Sequence, residues 1–347
     1  MTDKHFAPLC CNFFSYSAIL TFTFSLTILV TLASHLIKSY HLAGSSIMVL
    51  VPKDATYTKA LNILQSEGII HYKKFYLFLA KLTNSDRKLN AGYYEFHKNS
   101  SPLEVFSTLS NGETITDTFT VVEGNTIVDV CAGLSEQEED IIYEECLQLA
   151  HNKNFLRSLN INAPSLEGYL FPETYLFSKG FPLEDIFTRM VKELQKNFDK
   201  PLLERTKALG MTRGEVLTLA SMIAKEAVVD EERLLISAVF HNRLQTGMML
   251  QSDPTAVYGI KQRGEKINSQ DIRRYSAYNT YFIHGLPPGP ISSTGIKSIK
   301  AALYPAKVAY LYFVAKKDGT HHFATNYLDH VYGIQKYLSN PEICREK

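Results

Sequence analysis

The 347-residue chain has no tryptophan, and its five cysteines, at positions 10, 11, 131, 146 and 344, form no Cys-x-x-Cys or Cys/His spacing. That odd count and spacing argue against a zinc site and against a disulfide framework. Cys131 and Cys146 are a pair that an oxidising compartment would permit, and the sequence leaves their pairing open. An excess of charge is missing as well, since 36 Lys and Arg stand against 35 Asp and Glu. With no basic stripe, RNA-binding signature or zinc-finger spacing, nucleic acid is not an expected partner. Tyr and Phe supply the aromatics, at 20 each. This level suits a globular core or a groove that stacks sugar rings, and composition does not separate the two.

Charge is also absent from Phe13 to Leu36, an apolar run interrupted only by Ser, Thr and His35. At about 24 residues it is long enough to span a bilayer as a helix. A cleaved signal peptide has an apolar region of only about 7–15 residues, and no small-residue cleavage site follows this one. The expectation is an uncleaved single-pass transmembrane helix over 13–37, with a cytoplasmic lead at 1–12 and a linker at 38–47. Cys10 precedes the run, so it is not a lipoprotein cysteine. Lys4 before the run is balanced by Lys38 after it, and charge does not orient the helix. The short front end is assigned to the cytoplasm, which puts the long remainder, and its function, across the membrane.

The rest of the chain has room for about two domains. Ile47–Val51 reads as a strand, Tyr57–Gln65 and Tyr72–Leu82 as helices, and Ala91–Phe96 as a second strand. Ser101-Pro102 opens a further helix with Ser as N-cap and Pro at its first position, and Asn111-Gly112 ends it. This β-α-α-β-α unit suits a binding module. Thr114–Val122 is another strand, and 126–210 is mostly helical. Within it, Glu167-Gly-Tyr-Leu-Phe-Pro-Glu-Thr-Tyr175 groups aromatics around Gly and Pro, as in a fixed surface loop.

The stretch Leu219–Glu226, LASMIAKE, concentrates the chemistry. Thr212 and Glu215 have capping-box spacing just upstream of it. At about 100° per residue, Met222, Ile223 and Glu226 share a stripe with Leu219, while Lys225 points away. A carboxylate on an apolar stripe is costly to desolvate, so its pKa rises and it holds a proton near neutral pH, as a general acid must. Taken alone, a partly exposed or Arg-paired Glu at a helix end explains the same pattern. A second helix is expected over 231–244. Beyond it, Gln251, Ser252, Asp253, Asn279 and Thr280 alternate with Tyr258, Tyr278 and Tyr281. That mixture suits a groove gripping a hydroxyl- and amide-rich ligand, or equally a cluster of structural turns. Tyr310–Ala315 and His321–Ala324 form a hairpin about Asp318-Gly319. Adjacent histidines on a strand face opposite sides, so His321 and His322 do not make one metal site, and no metal is expected.

Five signatures occur in order: EGYLFPETY (167–175), LASMIAKEA (219–227), VFHNRLQTGMMLQSDPTAVYG (239–259), YNTY with GLPPGPI (278–291), and AALYPA with YLYFVAKKDGTHHF (301–323). In these the chain resembles the YceG-like family, the endolytic murein transglycosylases, over roughly residues 45–340. The resemblance implies an α+β fold: an N-terminal transmembrane helix, a small LysM-like βααβ-type module at 48–122, and a larger mixed α/β catalytic domain at 123–345. It implies that Glu226 is catalytic. Family members often carry another Glu two residues earlier, where this chain has Ala224, which leaves Glu226 as the only carboxylate of the motif and lowers like-charge coupling. It further implies attachment to the bacterial cytoplasmic membrane, no cofactor, and action on nascent peptidoglycan glycan strands beside peptidoglycan synthases as partners. Gln251, Asp253, Tyr278 and Asn279 are the candidates for holding the sugar. Two alternatives stand beside this reading. One is a hydrolytic muramidase with Asp253 or Glu167 as second carboxylate; the other is a non-catalytic glycan-binding scaffold.

Overall fold

The computed structural model describes residues 20–27, 46–97, 100–261 and 265–338. Residues 20–27 of the expected membrane helix are helical; the rest of 13–37, the lead 1–12 and most of the linker lie outside the described residues. No helix among the described residues is long and apolar enough to cross a membrane. The fold is a mixed α+β arrangement whose chain forms two compact units, Met1–Asp117 with Ser178–Phe181 and Thr118–Phe177 with Pro182–Lys347.

In the first unit, strand β1 (Ser46–Val51) pairs antiparallel with β2 (Gly92–His97), with Val49 opposite Tyr94. The strands are joined through helices α1 (Tyr57–Ser66) and α2 (Lys73–Thr83), and β2 is followed by α3 (Pro102–Asn111). Alternation along the strands turns Val49, Val51, Tyr94 and Phe96 inward onto Leu61 and Leu64 of α1, Tyr76 of α2, and Val105 and Leu109 of α3. The helix ends follow local chemistry. Ser101 and Glu104 form a reciprocal capping box around Pro102, and Gly112 closes α3 in the left-handed region at φ 66°.

The chain passes into the second unit within β3 (Thr116–Thr120), which pairs with β4 (Thr174–Ser178). Between them run α4 (Ile127–Gln137), α5 (Tyr143–Ala150) and α6 (Lys153–Ser158). A disulfide joins Cys131 of α4 to Cys146 of α5, with Cα atoms 5.6 Å apart, which settles a pairing open in the sequence. The chain continues through α7 (Leu183–Asn197), α8 (Lys200–Ala208) and α9 (Arg213–Glu226), then α10 (Arg233–Thr246) and the short helices α11 (Asp253–Val257) and α12 (Ser269–Ile272). Helix α13 (Ile296–Leu303), the hairpin β5 (Tyr312–Ala315) and β6 (His321–Ala324), and α14 (Tyr327–Tyr337) complete it.

Helix α9 is the centre of this unit. Its start is the capping box expected from the sequence: Glu215 N donates to Thr212 Oγ1 at 3.2 Å, and Thr212 N donates to Glu215 Oε2 at 2.7 Å. Every residue from Val216 to Ile223 is buried, against α13, α10, α8 and α11. The expected single apolar stripe is therefore too narrow a description; the middle of the helix is enclosed on all sides, and only its first and last turns approach the surface. The EGYLFPETY stretch also differs from expectation. Ser165–Phe171 is buried rather than on the surface, and Thr174 and Tyr175 start β4. Its large apolar side chains fill interior space, Tyr175 Oη donates to Phe171 O at 2.6 Å, and Phe171 N donates to Met190 O of α7 at 3.4 Å. On the hairpin, the two histidines point apart. His321 Nδ1 bonds Glu232 Oε2 at 2.7 Å, while His322 Nε2 bonds Asp329 Oδ1 at 3.2 Å.

Candidate active site

Glu226 is the last residue of α9. Its position combines two effects that oppose ionisation: the preceding turns are buried, and a helix C-terminus presents unpaired carbonyls of negative partial charge. The residue is half-buried, with its carboxyl group as the desolvated part. Burial pushes its pKa from the ordinary 4.5 up to about 7, the charge of Asp253 pushes the same way, and the Ser252 hydrogen bond and the Arg243 guanidinium oppose both. Ser252 Oγ donates to Glu226 Oε1 at 2.6 Å. Ala224 leaves no second carboxylate on this turn of the helix, and the loop after α10 brings another, Asp253, within electrostatic reach of Glu226.

The loop that supplies Ser252 is held from several directions. Gln251 sits in the left-handed region at φ 46°, a conformation a non-glycine residue adopts at a cost. Its N–H donates to Thr280 O at 3.1 Å, and Ser252 N donates to Thr280 Oγ1 at 2.9 Å. Thr255 Oγ1 donates to Ser252 O at 2.6 Å, and its hydroxyl also meets that of Thr280 at 2.8 Å. Arg243, buried on α10, holds the approach to this loop by donating from Nη1 to Leu250 O at 2.9 Å and from Nε to Leu311 O at 2.7 Å. It thus serves as both a clamp for backbone carbonyls and a positive charge near the acid. Ser221, on α9, accepts from Ile291 N at 3.0 Å and so attaches the GLPPGPI loop to the same helix.

The expected sugar-holding residues separate into two kinds. Asp253 is half-buried and accepts from Tyr281 Oη at 2.6 Å, beside Ser252. Gln251 is exposed next to it, and Tyr278 is half-buried with its ring 4.6 Å from that of Tyr258. These three keep surface that a ligand can reach. Asn279 is wholly buried: its Nδ2 donates to Ile272 O at 2.9 Å and Arg274 O at 2.7 Å, and its Oδ1 accepts from Tyr281 N at 3.0 Å. Those bonds use its amide to shape the loop, which is a tie between backbone segments and not a contact to a ligand.

Sequence reasoning passed over Arg243 as a member of the site, and placed Ser252 and Tyr281 in a possible groove without their contacts to Glu226 and Asp253. Ser252 and Tyr281 stood within the recognised loops, but their partners lie 26 and 28 residues away in the chain, and such pairings carry no local signal. Glu167, considered above only as a second carboxylate, lies at 4 % exposure with its pKa raised to about 7 by burial, against the hydrogen bonds from Ile127 N and Tyr258 Oη. The next residue, Gly168, has φ 78°, and a Cβ there would lie 2.3 Å from Pro290 Cβ, so only glycine lets the two loops approach.

The family model that describes the YceG-like family matches residues 49–336. A protein of Bacillus subtilis called endolytic murein transglycosylase is 30% identical over 313 residues, which is 85% of this chain and 86% of the relative. A protein of the same name from Streptococcus pneumoniae is 28% identical over 85% of this chain and spans further sequence of its own, 59% of it being matched. A crystal structure of a yceG-like protein from Listeria monocytogenes is 30% identical, with a TM-score of 0.58, and the match covers 83% of this chain and 98% of that one. The chain belongs to the YceG-like family.

Proposed function

We propose that the protein is an endolytic peptidoglycan lytic transglycosylase, and that Glu226 alone performs its proton transfers. The observation that carries this reading is a desolvated carboxyl group, hydrogen-bonded by Ser252 at the half-buried end of a buried helix, in a chain whose relatives bear that activity in their names. At neutral pH such a group exists in both protonation states, which is what one residue needs to act first as acid and then as base. Glu226 gives its proton to the glycosidic oxygen between N-acetylmuramic acid and N-acetylglucosamine, and the bond to C1 breaks. The carboxylate then takes the proton of the muramic acid 6-hydroxyl as that oxygen bonds to C1. The product is a 1,6-anhydro end, with no water consumed. Ser252 and Arg243 stabilise the intervening carboxylate by a hydrogen bond and by charge. Gln251, Asp253 and Tyr278 contact the saccharide.

The coarser parts of the reading extend outward from the site. The helix over 13–37 anchors the chain in the cytoplasmic membrane, the unit containing β1 and β2 is a LysM-like glycan-binding module, and the catalytic unit works on the extracytoplasmic side beside peptidoglycan synthases, where it ends strand elongation. The Cys131–Cys146 bond supports that compartment, since disulfides persist where the surroundings are oxidising.

The test is digestion of uncrosslinked glycan strands, followed by mass analysis of the new ends. Anhydro ends lighter by one water than reducing ends are expected, and Glu226→Gln should remove them. Reducing ends would point to hydrolysis, and strand binding without any cleavage would point to a scaffold.

A further inference from the structure

Glu167 is buried at one end of a line of contacts that finishes at a ligand-accessible ring. Its Oε2 accepts from Ile127 N, the first residue of α4, at 3.1 Å and from Tyr258 Oη at 3.0 Å. Tyr258 is the residue that closes α11, and its ring packs at 4.6 Å and 44° against Tyr278. The Tyr278 hydroxyl in turn lies over Gly289, where a Cβ would come within 3.5 Å of it. Helix α11 thus has one end beside Glu226, through Ser252 and Asp253, and the other end tied to Glu167. The Glu167 side chain has no route to a reacting sugar: Oε2 is occupied twice, and Oε1 is enclosed. A paired aromatic surface of this kind suits the apolar face of a pyranose ring, for which one edge of the pair must be fixed in orientation.

We propose that Glu167 is a positioning residue for saccharide binding, which acts through its hydrogen bond to Tyr258 to hold the Tyr278 ring at the angle a sugar ring needs. The assignment rests on the reading of Tyr278 as a saccharide contact. It distinguishes Glu167 from a second catalytic carboxylate, because what matters is an acceptor at Oε2 and not a proton to donate.

Steady-state cleavage of uncrosslinked glycan strands by the full chain tests this, with folding followed by circular dichroism. Tyr258→Phe removes the hydrogen bond with the least disturbance, and it should raise KM about tenfold while kcat changes by less than about twofold. Glu167→Ala should do the same, and the double variant should be no worse than Glu167→Ala alone, because both lose one interaction. Glu167→Gln keeps an acceptor and should restore KM to within about twofold of the parent. The proposal is overturned if Glu167→Gln abolishes kcat as Glu226→Gln does, or if Tyr258→Phe leaves KM unchanged while Tyr278→Ala raises it. If Tyr278→Ala itself leaves KM unchanged, the saccharide reading beneath the proposal fails, and the proposal fails with it.

Discussion

Glu226 and Glu167 are two carboxyl groups with the same raised pKa, about 7, and the same first cause, burial. Each also accepts a hydroxyl hydrogen bond and feels a neighbouring carboxylate, and they differ in position and access. Glu226 ends a helix, keeps part of its surface, and meets a hydroxyl donor, a carboxylate and a guanidinium that pull its ionisation in opposite directions. Glu167 lies in a closed loop, its bonded oxygen saturated by a backbone amide and a phenol. A perturbed pKa therefore marks desolvation, and access to substrate has to be established separately before chemistry is assigned.

The largest effect expected from breaking this contrast is at Glu226. Replacing it by Gln should lower the rate of anhydro-end formation by about a thousandfold or more, the scale on which a positioned general acid–base contributes; a variant that keeps a tenth of the parent rate would remove Glu226 from the mechanism. Glu167→Gln should retain most activity in the same assay.

Next in size is the pH dependence. The free enzyme needs a protonated Glu226, so kcat/KM should fall as pH rises through about 7. Stability follows the same proton. Folded Glu226 keeps it up to about pH 7, whereas an unfolded glutamate releases it near 4.5, so the stability present below 4.5 is lost progressively as pH rises to 7. Glu226→Gln should therefore melt roughly 5–10 °C higher than the parent at pH 8, with little difference at pH 4. Equal melting shifts at both pH values would deny that burial destabilises the charge.

Smaller and opposite shifts should come from the neighbours. Asp253→Asn removes a like charge, so the alkaline limb of the rate profile should move down by roughly half a unit to one unit. Ser252→Ala removes a donor to the carboxylate, and the limb should move up by a comparable amount. If both variants move it in the same direction, the account of the local field is wrong.

The smallest effect on catalysis should follow loss of the disulfide. Closing a 15-residue separation is worth about 3 kcal/mol to the fold. Changing Cys131 and Cys146 to Ala should lower the melting temperature, and because α4 carries the amide that holds Glu167, KM should rise slightly. The pH limb set by Glu226 should stay in place, measurable in the same profiles.

What could be read in advance follows from the range of the interactions. The N-cap at Ser101, the capping box at Thr212, the glycine closing α3 and the hairpin about Asp318-Gly319 are settled within a few residues, and they were legible. Glu226 was legible as an anomaly on an apolar helix and became a candidate acid only through the ordered motifs around it. The environment of its carboxyl was not, because Ser252, Asp253 and Arg243 are brought there by folding. Asn279 shows the limit from the other side. A polar residue in a loop rich in turns looks like a ligand contact, and only the three-dimensional arrangement shows its amide spent on backbone. The EGYLFPETY loop was misplaced at the surface for a related reason: irregular backbone can be buried when neighbouring side chains and carbonyls satisfy it, as they do at Phe171 and Tyr175.

The contact between Gly168 and Pro290 makes two signatures, 122 positions apart, a single constraint. Neither can drift alone. Any side chain at position 168 must displace the proline and, with it, the loop whose Ile291 amide is tied to the helix that ends in Glu226. Engineering of this chain should therefore treat the two loops as one exchangeable block, swapped together between relatives, since a graft of either by itself would import a collision.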